Sequence, residues 1–238
     1  MASIAALCKR KGWVFLYITK VLSTTLKQNI TGNLKAALDD GMTLLEVEYD
    51  KYRDVIESLY TPLSDSRIDS QDGDLILAQG GADLGAKEGI AVLAQEIQVW
   101  QQEHNIKKLN VITPSGTGTT AFFLAHSLPM ANIITTPLIG SKTYLLEQMQ
   151  ALGEVPQNLT IIETKKKYHF GKNYDEYLNV YREMLAEGIE MDLLYAPKML
   201  IALKESLNPF EGELLYVHSG GTQGNSSMLE RYRRKGSL

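Results

Sequence analysis

Apolar residues recur at helical spacing in the first turns of the chain, where Ile4, Leu7 and Cys8 share one face of a helix predicted over residues 2–10. Lys9, Arg10, Lys11 and Gly12 close it in the manner of a helix C-terminus. Residues 13–18 (WVFLYI) then run apolar and aromatic without a break, as expected of a strand covered on both faces. A short helix from Gly32 through Leu38, stopped by Asp39, Asp40 and Gly41, leads to a second strand carried by Leu44, Leu45 and Val47. A helix over residues 49–60 follows. Residues 61–73, rich in Ser and Asp and containing Pro62, read as a linker.

After Gly73 the pattern restarts. A strand is predicted at residues 75–78, then a long helix over 85–103, then a buried strand carried by Leu109, Val111 and Ile112. A Gly/Ser/Thr turn separates that strand from a helix whose apolar face is Ala121, Phe122, Leu124, Ala125 and Leu128. Strands at 133–136, 159–162 and 214–217 and helices at 144–152, 174–187 and 197–205 complete the alternation. Strands alternating with helices imply an α/β protein of three αβα layers, its sheets mainly parallel and covered by helices on both sides. The linker divides it into a smaller α/β domain at residues 1–66 and a larger one at 67–238. Ligands of such sheets bind at the carboxyl ends of the strands, where the glycine turns SGTGTT and HSGGTQGN both fall.

Composition narrows the function. The chain has 238 residues, enough for a sizeable core, and a net charge of -4, which excludes a basic nucleic-acid footprint. The basic tail Arg231, Arg233, Arg234 and Lys235 reads as a solvated helix end favoured by the helix dipole. Cys8 is the single cysteine, so no intrachain disulfide forms, and a thiolate metal site is not expected; both fit a reducing, cytoplasmic setting. The four histidines show no ligand spacing. No apolar run approaches the roughly 20 residues needed to cross a bilayer. The start, MASIAALCKRKGW, places its apolar stretch before its charges, the reverse of a secretory signal.

The turn between the buried strand and its helix carries the chemistry. Ser115, Thr117, Thr119 and Thr120 supply hydroxyls, and Gly116 and Gly118 let the backbone approach a ligand closely. With the free N–H groups of a helix start, they make a cradle for a phosphate or carboxylate. No Lys follows the second glycine, so this is not a Walker loop, and the third glycine of GxGxxG is absent. Taken alone, the same residues also read as an ordinary strand-to-helix turn with a Thr N-cap.

Four motifs in order tip that balance: QGGADLGAKEG, SGTGTTA, the Tyr-x-x-Lys of DLLYAPK and the terminal LLYVHSGG. Together they resemble the 1-aminocyclopropane-1-carboxylate deaminase and D-cysteine desulfhydrase family, pyridoxal-phosphate enzymes of the tryptophan-synthase β fold, fold type II. KGWVFLYIT followed by GNLKAALDDGM is similar to that family's small domain, so the resemblance covers nearly the whole chain. It implies that Ser115, Gly116, Thr117, Gly118, Thr119 and Thr120 bind the phosphate of pyridoxal 5'-phosphate. It also implies that Tyr195 is an active-site tyrosine near cofactor and substrate, and that the Ser219 hydroxyl faces the pyridine nitrogen. The implied partner is a small amino-acid substrate, with a homodimer as the assembly to test for.

The departures are informative. Ala196 stands where the cyclopropane deaminases have a glutamate for the pyridine nitrogen, and Phe170 where they have a second active-site tyrosine. Both favour desulfhydrase-like elimination over ring opening. The family's Schiff-base lysine lies in a GNKxRK segment followed by a QSN-type segment, and the chain's start resembles what comes just after these. The chain is therefore expected to be N-terminally truncated relative to the family, to expose apolar surface, and to be inactive by itself; the same residues also fit a natural pseudoenzyme that keeps the phosphate-ligand site without catalysis, or an unrelated α/β binding protein whose turns mimic the family. Lys9, Lys11, Lys165, Lys166 and Lys167 read as solvated charges.

Overall fold

The computed structural model describes residues 1–59, 75–206, 210–218 and 221–238. The chain divides into two compact units, Met1–Ile76 with Gln223–Leu238, and Leu77–Thr222.

In the smaller unit, α1 (Ala2–Lys11), β1 (Leu16–Lys20), α2 (Thr24–Gln28), α3 (Gly32–Asp39), β2 (Thr43–Val47) and α4 (Tyr52–Leu59) follow one another. β1 and β2 pair in parallel, from Leu16 with Thr43 to Lys20 with Val47. The core is Ala5, Leu34, Ala37 and Met42, ringed by Phe15, Tyr17 and Leu22. The first strand starts three residues later than its apolar run suggests. Gly12 ends α1 in the left-handed region (φ 69°), and the Trp13 N–H is spent on the Cys8 carbonyl at 2.9 Å, so the WV pair belongs to a helix cap. Nor is the strand covered on both faces: β1 is exposed at both ends, and Val14 beside it is 90% exposed.

The last helix, α10 (Asn225–Lys235), was expected with the larger domain but belongs to the smaller unit. Met228 and Tyr232 are buried, Asn29 donates to Glu230 at 3.2 Å, and a Cβ on Gly32 would lie 3.0 Å from the Gln223 carbonyl oxygen. Its basic end is solvated, with Gly236 at φ 79° closing the helix. The domain boundary expected at residue 66 lies outside the described residues.

The larger unit holds α5 (Ala86–Glu103), β3 (Leu109–Ser115), α6 (Thr119–Ser127), β4 (Asn132–Pro137), α7 (Lys142–Gln150), β5 (Leu159–Ile161), α8 (Asp175–Ala186), α9 (Ala196–Glu205) and β6 (Glu213–Tyr216). Among the described residues its four strands are all parallel, in the order β5-β4-β3-β6. Alternation along β3 and β4 sorts their side chains into two layers. Leu109, Val111 and Ile133 pack with Ala94 and Ile97 of α5, Phe122 and Leu124 of α6, and Leu145 and Met149 of α7. Ile112 and Ile134 face the other way, onto Met199 and Leu203 of α9. This is the three-layer αβα arrangement. Residues 75–78 form no strand: Leu75 and Leu77 are about half exposed, and their chain pairs with no other strand among the described residues. No helix among the described residues is long and apolar enough to cross a membrane.

Candidate functional site

β3 is buried along its whole length and ends at Ser115, whose register partner is Pro137 at the end of β4. The ladder runs one bond further, Leu138 N–H to the Ser115 carbonyl at 2.9 Å. The chain then leaves the sheet through Gly116, Thr117 and Gly118 and enters α6. Gly118 occupies the N-cap position at φ 83°, and a Cβ there would lie 2.7 Å from Met149 Cε. Glycine is thus required twice over, for the backbone angle and for the close packing of α7. Gly116 has an ordinary φ, and a Cβ there would meet nothing within 4 Å, so this is the open side of the turn.

The N-cap is Gly118, and no side chain caps the helix. The first helical bond runs from Phe122 N–H to the Gly118 carbonyl at 2.9 Å. Among the described residues, no hydrogen bond is donated by the backbone N–H groups of Gly116, Thr117, Gly118, Thr119 or Thr120. N–H groups without a partner among the described residues, at the positive end of a helix, are the kind of donors an anion takes up, and at Gly116 a Cβ would meet nothing within 4 Å. The hydroxyls behave differently from one another. Thr117 and Thr119 are hydrogen-bonded to each other at 3.0 Å at the mouth. The Ser115 hydroxyl points beneath α6, because residue 115 shares a face with Val111, and is bonded to Thr135 Oγ1 at 2.6 Å. Gly80, at φ 72° in the turn Gln79–Gly81, closes one side: a Cβ there would stand 2.8 Å from Thr117 Cγ2.

A second group of residues gathers at the start of α9. Asp192 is buried, and its carboxylate accepts from the N–H groups of Leu194 (2.9 Å), Tyr195 (2.5 Å) and Ala196 (3.2 Å), so it caps the helix that carries Tyr195. The Asp192 N–H donates to His218 Nε2 at 3.3 Å, and the same nitrogen stands 3.3 Å from Asp192 Oδ2. A neutral ring accepts the N–H; a protonated one pairs with the carboxylate. Tyr195 packs edge-on against Phe170, ring centroids 5.6 Å apart. Burial, and then the Asp192 charge, raise the Tyr195 pKa, so its hydroxyl stays protonated as a donor. Tyr216, at the end of β6, has its hydroxyl buried without a hydrogen-bond partner among the described residues, and burial followed by the Asp192 charge pushes its pKa far up. Ser219 lies outside the described residues.

The sequence marks Lys198 only by its tyrosine-to-lysine spacing. Its side chain is 7% exposed and donates from Nζ to the Pro137 carbonyl at 2.6 Å, at the carboxyl end of β4. Burial lowers its pKa, with the Glu163 carboxylate acting the other way. The signal that could have found it is its setting in APKMLIA, where Met199 and Ala202 mark the inward face of α9. Lys9, Lys11, Lys165, Lys166 and Lys167 are all exposed, with Lys9 paired to Asp40 and Lys166 to Glu176.

No family profile matches the chain, and no curated protein matches its sequence. Its fold recurs in solved enzymes. One is a hydrogen sulfide-producing enzyme from Fusobacterium nucleatum, 15% identical over 92% of this chain and 74% of that one, TM-score 0.58. Another is the processed form of threonine deaminase isoform 2 from Solanum lycopersicum, 13% identical over 96% of this chain and 68% of that one, TM-score 0.62. A third is a pyridoxal 5'-phosphate-dependent aspartate racemase, 11% identical over 92% of this chain and 70% of that one, TM-score 0.55. The chain therefore has the parallel α/β fold of the fold type II enzymes; at these identities the likeness speaks to fold.

Proposed function

We propose that the chain is a pyridoxal-phosphate protein of the amino-acid lyase and deaminase type, closer to D-cysteine desulfhydrases than to cyclopropane-opening deaminases. The observation that carries this reading is the cradle at the end of β3: unpaired N–H groups, a positive helix end and an opening at Gly116, on a fold shared with a hydrogen sulfide-producing enzyme and a pyridoxal-phosphate-dependent racemase. Gly116, Thr117, Gly118, Thr119 and Thr120 would hold the cofactor phosphate. Ser115 contributes by fixing the strand end through Thr135. When bound, the cofactor supplies an electron sink for a carbanion at the substrate Cα. The protonated Tyr195 hydroxyl donates on the substrate side, and Asp192 fixes the helix that presents it. Ser219 is assigned to the pyridine nitrogen by resemblance alone. The ring edge of Phe170 against Tyr195 offers no second hydroxyl, which supports elimination rather than ring opening. The substrate class is a small amino acid with a β leaving group, and the proposed assembly is a homodimer.

Turnover also needs an amine that removes the Cα proton. No lysine of this chain lies in a GNK segment, so the chain alone is proposed to bind the cofactor and to release no appreciable sulfide. The test is to saturate the 238-residue protein with pyridoxal phosphate and assay sulfide, ammonia and 2-oxoacid release from D-cysteine. Saturable binding without steady release is expected. Absence of saturable binding would overturn the cofactor assignment; steady release would show that a lysine of the chain does the work that resemblance assigns to the GNK segment.

A further inference from the structure

Charged side chains are rarely buried without a charged partner, because an ion removed from water loses its hydration. Among the described residues, Lys198 is the lysine that breaks this rule: it lies inside the larger unit, forms no ion pair, feels the Glu163 carboxylate only at a distance that burial outweighs, and its Nζ bond goes to a neutral carbonyl. The position is specific. Residue 137 turns its carbonyl toward the side of β4 where β5 has already ended, since Thr135, two residues earlier, accepts the last bond from Ile162 on that side. Lys198 fills the missing donor place. Its amine is thereby held at the carboxyl end of the sheet, on a residue in register with Ser115, which opens the anion cradle. Tyr195 lies one turn earlier on the same helix.

We infer that Lys198 is a carbonyl-capturing amine: its Nζ condenses with the aldehyde of a ligand whose phosphate rests on residues 116–120. The inference rests on the cradle reading of the preceding section and adds to it a role for Lys198, which the resemblance names only as the end of the Tyr-x-x-Lys motif. Burial favours the neutral amine, whose lone pair is the nucleophile, and desolvated lysines are suited to imine formation for this reason. From the ammonium, one proton leaves and the freed lone pair forms the C–N bond. That proton and a second from nitrogen then depart with the carbonyl oxygen as water. The product is a protonated imine whose remaining N–H still faces Pro137. No redox partner is required.

The experiment treats the 238-residue protein with pyridoxal phosphate, reduces it with borohydride and maps the adduct by mass spectrometry of peptides. Pyridoxine phosphate, which has the ring and phosphate but no aldehyde, serves as competitor and, in calorimetry, as a direct probe of the cradle. The expected result is a saturable adduct on Lys198 that dominates over adducts on the exposed Lys165, Lys166 and Lys167, and that pyridoxine phosphate suppresses. Labelling of Lys198 should set in at lower pH than labelling of those exposed lysines, because its pKa is lowered. Lys198→Met should lose the saturable adduct and still bind pyridoxine phosphate; if it fails to fold, the peptide map of the unmodified protein decides alone. Adducts spread over exposed lysines with Lys198 unmodified, or a Lys198 adduct that the competitor does not suppress, would overturn the inference and leave the cradle intact. Pyridoxine phosphate that does not bind at all would remove the cradle, and the inference with it.

Discussion

The pairs β1–β2 and β3–β4 are both parallel, each joined through helix, yet their surroundings are opposite. Every residue of β3 is buried, whereas β1 is exposed at both ends and Leu45 of β2 faces solvent. Covering both faces makes a polar side chain inside costly unless it is paired, and the Thr113 and Thr136 hydroxyls of this pair have no hydrogen-bond partner among the described residues. Within β3–β4, Asn132 donates to Asn110 at 3.0 Å and Ser115 bonds to Thr135 at 2.6 Å; the open pair buries no polar side chain. The glycine-restricted turn and Lys198 both stand at the carboxyl end of the covered pair. The proposed chemistry thus falls where burial makes a polar group costly and a fixed geometry available.

Substitutions at matched places can break that contrast. Gly118→Val should have the largest effect, because its Cβ collides with Met149 and its backbone angle is left-handed. Overpacking costs roughly 1–3 kcal/mol and the left-handed conformation roughly 1–2 kcal/mol more, to be read from urea unfolding. Ser115→Ala should cost about 1–3 kcal/mol, the penalty for leaving the buried Thr135 hydroxyl without its partner. Leu45→Ser on the open pair should stay within about 0.5 kcal/mol. A Leu45→Ser loss as large as that of Gly118→Val would erase the distinction between the two pairs.

The covered pair was the legible one. Its strand, turn and helix are specified locally, by the apolar Leu109, Val111 and Ile112 between polar flanks and by the glycines that follow, so the structure places them as the pattern does. Errors arose where distant groups decide. Trp13 and Val14 look like strand, but the Cys8 carbonyl claims the Trp13 N–H for a helix cap. Residues 75–78 have a strand's apolar content without a neighbouring strand to pair with, and side-chain pattern alone does not register that. The side of the molecule joined by α10 depends on contacts such as Asn29 with Glu230, roughly two hundred residues apart in sequence. In the candidate site, the glycine positions of the turn are legible in the sequence, but the inward turn of the Ser115 hydroxyl requires the register of β3 with β4. The burial of Lys198 required knowing which face of α9 meets the sheet.

The most direct test of the central claim, that the turn after β3 binds the phosphate of pyridoxal phosphate, is to compare the affinities of the unmodified protein and Gly116→Val for pyridoxine phosphate by calorimetry. A Cβ at residue 116 meets nothing within 4 Å in the protein, and the backbone there is ordinary, so thermal unfolding should be unchanged while the branched side chain blocks the approach of the phosphate. The account predicts saturable binding by the unmodified protein and its loss in an equally stable Gly116→Val variant. Equal affinity in the two proteins would contradict it.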